Sequence, residues 1–244
     1  MPRNPPRLLS ALALAVAVPA AAHNGHQASV HDTVAAVTLR LKAQLPAAEL
    51  RRLDAARIEA FLTPAERDAL GSHHLTFRVS APAVVTVFRD PELGEEPFWL
   101  AQRGFQATGE SVGVGGKAFA GWARAFPPGE VGLGVNSVRG GGEHYFATLR
   151  PVNPADTLAV TDLYPGQLRL GALTNGAPPW ADRDTALTNV PPALAGQTLL
   201  RTERARRNAA QLVNLFRWTE HPAGTRPDQI VLTWSGDPQT TQAI

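Results

Sequence analysis

The sequence predicts a mainly β fold with flanking helices: an antiparallel β-sandwich, a helical segment before it, and a Pro-rich linker, a helix and a further strand after it. Two observations carry that prediction. The hydrophobic pattern changes period at residue 73, from one face of a helix to every second residue. From there on, short β-forming runs are punctuated by glycine and proline, of which the chain holds 21 each, as strands joined by tight turns require.

Residues 1–22 have the organisation of a signal peptide. Arg3 and Arg7 precede an apolar run from Leu8 to Val18, interrupted only by Ser10, and Pro19 with Ala20-Ala21-Ala22 supplies a small-residue cleavage site. The run is too short for a bilayer core, which needs about 20 residues, so the expected product is exported, periplasmic or extracellular, with no membrane span after cleavage. Residues 23–71 form a polar tail and a helical preface. The tail, His23 to Asp32, is followed from Pro46 to Leu70 by helical spacing of Leu50, Leu53, Ile58, Phe61 and Leu62. Within it, Thr63-Pro64-Ala65-Glu66 has the form of a capping box that opens a second, short helix ended by Gly71.

Residues 72–163 make up the predicted sandwich. Leu75, Phe77 and Val79 alternate with polar neighbours, and Val84 to Phe88 is strongly β-forming. Weaker strands are expected around Val112 and Val114, from Val131 to Val135, from His144 to Val152 and from Leu158 to Leu163, with a turn at Gly140-Gly141-Gly142. Trp99, Phe119, Trp122 and Phe126 are the expected core aromatics. Residues 164–226 read as a Pro/Gly-rich segment followed by a helix from about Ala193 to Trp218, burying Leu199, Leu200, Leu212, Leu215 and Phe216. Residues 227–244 contain one strand, Gln229 to Ser235, which needs a partner to be stable.

Composition excludes several classes. The chain has no cysteine, so neither disulfides nor thiolate metal sites hold it together. Removing Arg3 and Arg7 leaves 21 basic residues against 21 acidic ones, and a protein without net positive charge is a poor partner for nucleic acid. Gly113-Val-Gly-Gly-Lys117 lacks the spacing and the Ser or Thr of a phosphate loop and reads as a turn. No serine sits in a Gly-x-Ser-x-Gly elbow.

The residues from Pro227-Asp228-Gln229-Ile230 through Trp234-Ser235-Gly236-Asp237-Pro238 to Ile244 resemble the opening of the fibronectin-type-III-like domain found at the N-terminus of purple acid phosphatases. In that family the domain precedes a calcineurin-like metallophosphoesterase domain. The resemblance implies that this stretch is the front of a secreted metal-dependent phosphoesterase, with an absent C-terminal catalytic domain as its partner. It also implies a dinuclear metal centre in that absent domain, where metals lower the pKa of a bound water and stabilise the displaced oxygens. The family's ligand motifs (Asp-x-Gly, Gly-Asp-x-x-Tyr, Gly-Asn-His-Asp/Glu and Gly-His-x-His) do not occur here, and Thr240 stands where the second would need tyrosine. No catalytic or metal-binding residue therefore carries over. A second series, Val87-Phe88-Arg89-Asp90, Pro97-Phe98-Trp99-Leu100, Gly104-Phe105 and Phe126-Pro127-Pro128-Gly129, is similar to accessory β-sandwich modules of secreted polysaccharide-degrading enzymes. That likeness keeps open an alternative: a carbohydrate-binding or cell-envelope interaction module without catalysis.

Three sets of residues are candidates for chemistry. His23, His26 and His31 offer imidazoles for adventitious metal binding. Were His23 the mature N-terminus, it could open a copper brace completed by His73, His74, His144 or His221, although His-Asn-Gly-His-Gln reads more simply as a polar tail. Trp180, in Pro-Pro-Trp-Ala-Asp, is the candidate for stacking on a glycan, with a buried loop anchor as its competing role. Arg201, Arg204, Arg206 and Arg207 form either a patch for anionic polymers or the solvated face of a helix. Glu143 and His144 are adjacent, and neighbours on a strand point to opposite faces, so His144 is expected as a packed strand residue.

Overall fold

The computed structural model describes residues 29–139, 143–202 and 212, and the backbone of 231–233 and 241–243. The signal-peptide region, His23, His26, the Gly140–Gly142 turn, Arg204, Arg206, Arg207 and His221 lie outside the described residues. The protein is an antiparallel β-sandwich with flanking helices, built from a seven-stranded and a three-stranded sheet. Among the described residues, no helix is long and apolar enough to cross a membrane.

The preface has four helices: α1 (Val30–Gln44), α2 (Ala47–Leu50), α3 (Ala55–Phe61) and α4 (Pro64–Ser72). The expected tail through Asp32 is shorter than predicted, because the Ser29 side chain accepts from Asp32 N and starts α1. Val30, Val34, Val37 and Leu41 then bury one stripe. The helical stretch predicted from Pro46 is split, since Asp54 caps a fresh start by accepting from Arg57 N. The capping box forms as predicted: Thr63 and Glu66 satisfy each other's backbone N–H groups.

The three-stranded sheet has the order β5–β1–β7, with β1 Leu75–Val79, β5 Gly129–Leu133 and β7 Val160–Tyr164. The seven-stranded sheet runs β8–β10–β6–β2–β4–β3–β9. Its members are β2 (Ala83–Arg89), β3 (Gln106–Val114), β4 (Lys117–Phe126), β6 (Phe146–Pro151), β8 (Arg169–Ala172), β9 (Leu187–Thr188) and β10 (Thr198–Arg201). A short helix, α5 (Phe98–Gln102), follows β2.

Three expectations are corrected here. The sandwich does not stop at residue 163, because β8, β9 and β10 belong to the larger sheet. The helix expected from Ala193 is not formed at its start: Thr198–Arg201 is a strand between β6 and β8. Leu199 and Leu200 are both buried because they point into different cores on the two faces of the sheet. Leu212 is helical and buried. The lone strand expected at 229–235 also finds a partner: β11 (Val231–Thr233) pairs antiparallel with β12 (Thr241–Ala243).

One core lies between the sheets and extends into the helices, uniting Val85, Val87, Leu149 and Leu200 with Phe77, Val131, Leu133, Ile58 and Trp99. The other lies on the opposite face, where Phe88, Phe119 and Phe146 meet Leu173, Trp180, Val190 and Leu194. Three of the expected core aromatics, Trp99, Phe119 and Phe126, are buried, and Trp122 packs against the first core from a partly exposed position. The alternation Val131-Gly-Leu-Gly-Val135 has a specific use. Its apolar members face the core, while the end of α4 sits on the glycines: a Cβ at Gly132 would lie 2.1 Å from the Ser72 carbonyl oxygen.

Candidate functional site

Four buried polar residues, His74, Asp90, His144 and Thr202, sit beside strand ends, where they tie neighbouring elements together. His74 precedes β1, and His144 lies two residues before β6. His144 Nδ1 is 2.6 Å from the Tyr145 carbonyl oxygen, which places a proton on that nitrogen. Its Nε2 lies 2.9 Å from the Nε2 of His74, so the two buried rings share one hydrogen bond. Thr202, directly after β10, donates its hydroxyl to the same Tyr145 carbonyl at 3.2 Å. The indole N–H of Trp180 donates to the His144 carbonyl at 3.0 Å. Four residues that are remote in sequence thus link the first strand of the small sheet to β6 and β10 of the large one. Tyr145 is fully enclosed and donates its hydroxyl to Gly134 O at 2.8 Å. Burial pushes that phenol well above its ordinary pKa.

The second polar centre is Asp90, which is 0 % exposed at the end of β2. It receives the N–H of Glu92 at 2.9 Å, the N–H of Glu143 at 2.8 Å and the Lys117 ammonium at 3.1 Å. Burial alone would raise its carboxyl pKa, but these donors outweigh burial and hold it below the usual carboxylate range. Lys117, from the glycine turn that the sequence singled out, is therefore a structural counter-ion joining β4 to the end of β2. The turn between β3 and β4 uses positive φ at Gly115 and Gly116.

The predicted site residues that are described, His31 and Trp180, lie on separate segments of the fold. His31 lies half-buried on α1, whereas His23 and His26 fall outside the described residues. His74 and His144, considered as copper ligands, are engaged with each other, and His73 lies 3.9 Å from Asp68. Trp180 is 2 % exposed, packed edge-on against Phe119, so it offers no open face to a sugar. Arg201 is on a strand, not on a solvated helix face. Among the described residues, no three His, Asp or Glu side chains are grouped to hold a metal ion.

Two clefts open on the helical side. The larger, about 550 Å³, lies among α1, α2 and α3 and is lined by Leu41, Leu45, Leu53 and Phe61 with Arg52 and Arg57. The smaller, about 360 Å³, lies between α4 and α5 and carries Arg67, Gln102 and Arg103 above Phe98. The sequence held no signal for either cleft, since helix packing brings their walls together. No protein-family model, curated protein or solved structure matches the chain.

Proposed function

We propose that this chain is the non-catalytic N-terminal accessory region of an exported, metal-dependent phosphoesterase of the acid phosphatase type, and that its sandwich covers, positions or targets a catalytic domain that follows. The observation that carries the reading is the terminal segment. Pro227 to Ile244 resembles the opening of the fibronectin-III-like domain of purple acid phosphatases, and the pairing of Val231–Thr233 with Thr241–Ala243 is compatible with its strand–turn–strand start. A structural role also suits the polar chemistry described above. Asp90, Lys117, His144 and Thr202 spend their hydrogen bonds on joining elements, and a carboxylate bonded in this way is poorly disposed to exchange protons with a substrate.

The dinuclear metal centre implied by the family belongs to the following domain in this reading, because its ligand motifs are missing from this sequence. Reading the gene past codon 244 tests the proposal directly. An open frame continuing into Asp-x-Gly and Gly-Asn-His-Asp/Glu motifs is expected, and a stop codon at that point would overturn it. The purified chain is expected to leave a phosphomonoester such as p-nitrophenyl phosphate intact with divalent metals present. Hydrolysis with two metal ions bound per chain would show that the catalytic centre lies here instead. The carbohydrate-binding alternative has lost its named residue to the core, since Trp180 is enclosed.

A further inference from the structure

We propose that the cleft between α4 and α5 binds a small carboxylate-bearing ligand, gripped by the guanidinium groups of Arg67 and Arg103 with Gln102 at the rim. The inference is independent of the accessory-region reading and rests on the unbalanced charge in this cleft. Its volume, about 360 Å³, is at the lower end of the range for small-molecule sites, roughly 300–1,000 Å³. The floor is apolar, made by Phe98 and Trp99, which are 9 % and 1 % exposed. Around it stand two arginines from different elements. Such a combination of an apolar floor and few convergent polar groups is what orients a small ligand.

Arg103 is the decisive residue. It is half-buried, and one of its terminal nitrogens donates to Gly71 O at 3.1 Å. Among the described residues no carboxylate lies within ion-pair distance of it. Arg124 of β4, seated over the Phe126 ring at 4.7 Å, adds a further positive charge to the field at Arg103. Burial lowers the pKa of Arg103, and Arg124 lowers it further, against weaker opposing effects of Asp68 and Tyr145. A half-buried guanidinium without an ion-pair partner, in the field of a like charge, is costly to maintain. An anion in the cleft relieves that cost, and the planar fork of the guanidinium matches a carboxylate in two-point contact.

The remaining charges select the ligand class. Arg67 donates to the Glu59 carbonyl and lies in the field of the Glu59 carboxylate, and Asp68 lines the same cleft. With Arg124 and Glu59 counted beside the lining Arg67, Arg103 and Asp68, three cations and two carboxylates leave one net positive charge, which suits a monoanion and disfavours a doubly charged phosphate. The apolar floor and the volume suit a ring-sized body behind the carboxylate.

Calorimetric titration of the full chain with glucuronate, benzoate, glucose and inorganic phosphate tests the site. Saturable one-to-one binding of glucuronate, benzoate or both is expected; which one binds identifies a sugar acid or an aromatic acid as the source. Gln102→Glu places a repelling carboxylate at an exposed rim position without disturbing the core and is expected to weaken binding at least about tenfold. Arg103→Gln should weaken it as much, and Arg169→Gln, on the remote edge strand β8, should leave it unchanged. The proposal is overturned if neither carboxylate saturates the chain at millimolar concentration, if glucose or phosphate binds as well as the carboxylates, or if Gln102→Glu and Arg103→Gln bind like the parent chain.

Discussion

The two faces of the seven-stranded sheet are covered in different ways. One packs on regular structure, the small sheet and the helices, through Val85, Val87, Leu149 and Leu200. The other is covered by residues 173–194, a stretch containing only the two-residue strand β9, which contributes Leu173, Trp180, Leu187, Val190 and Leu194. Yet the two faces are finished alike. Each has a buried tryptophan whose indole N–H is satisfied by a backbone carbonyl: Trp99 donates to Val135 O at 2.8 Å and Trp180 to His144 O at 3.0 Å. Irregular chain can close a core as completely as a helix or sheet when its backbone groups find partners. Here Leu173 N donates to Gln197 O and Gly196 N to Leu173 O, while Leu187 N donates to Ala177 O.

The paired tryptophans give the largest expected effect and the sharpest way to break this equivalence. Trp99→Ala and Trp180→Ala should each cost about 4 kcal/mol, the usual loss for a large aromatic side chain in a packed core. Urea denaturation followed by far-ultraviolet circular dichroism measures both. A Trp180→Ala chain that loses less than about 1 kcal/mol would mean that residues 173–194 lie over the sheet without stabilising it, and the likeness of the two faces would fail.

Asp90 provides the next largest effect, and it acts at the end of the strands that both faces share. Asp90→Asn removes the buried carboxylate that accepts from Glu92 N, Glu143 N and Lys117 Nζ, while Lys117 keeps Glu92 at 2.6 Å, and is expected to cost about 1–2 kcal/mol at neutral pH. The pH dependence has a definite sign. The folded carboxyl titrates below the ordinary range, so its contribution is fully present above the unfolded pKa near 4 and is lost as pH falls through the lower folded value. The gap between the denaturation midpoints of the parent and Asp90→Asn chains should therefore be narrower at pH 3 than at pH 7. An equal gap at both values would assign the loss to packing and not to charge.

The same comparison separates what the sequence made legible from what it concealed. On the regular side, Val84 to Phe88 announced β2 by its β-branched run, and Thr63 with Glu66 announced α4 by its cap. On the irregular side the usual signals are missing. All four residues of β8 are exposed, so nothing in its hydrophobicity marks a strand. In β10, Leu199 and Leu200 are adjacent and both buried, a pattern that a central strand shares with a buried helix. Ser29 caps α1 ahead of a stripe of valines, but the polar, histidine-rich run from His23 to Asp32 reads as tail and hides that start. The cleft between α4 and α5 depends on Arg67 and Arg103, and the buried imidazole pair on His74 and His144, residues 70 positions apart. No local spacing predicts either meeting, because tertiary packing alone creates it.

The smallest predicted effect asks whether the preface belongs to the regular face or merely rests on it. The Thr63 hydroxyl accepts from Glu66 N at 3.3 Å, and Glu66 Oε2 accepts from Thr63 N at 2.8 Å. Glu66 also pairs with Arg40 of α1; that hydrogen bond, more than the opposing effect of burial, holds its carboxyl below the usual range. Thr63→Ala removes one half of the cap and should cost about 1 kcal/mol. Gly132 allows the Ser72 carbonyl at the end of α4 to lie against β5, so loosening α4 should be felt by the small sheet. If helices and sandwich unfold as one unit, the global denaturation midpoint falls and the slowest amides of β1 and β5 exchange faster by the matching factor of about five. If instead only α4 amides accelerate and the midpoint stays fixed, the preface opens by itself, and the regular face is held by the small sheet alone.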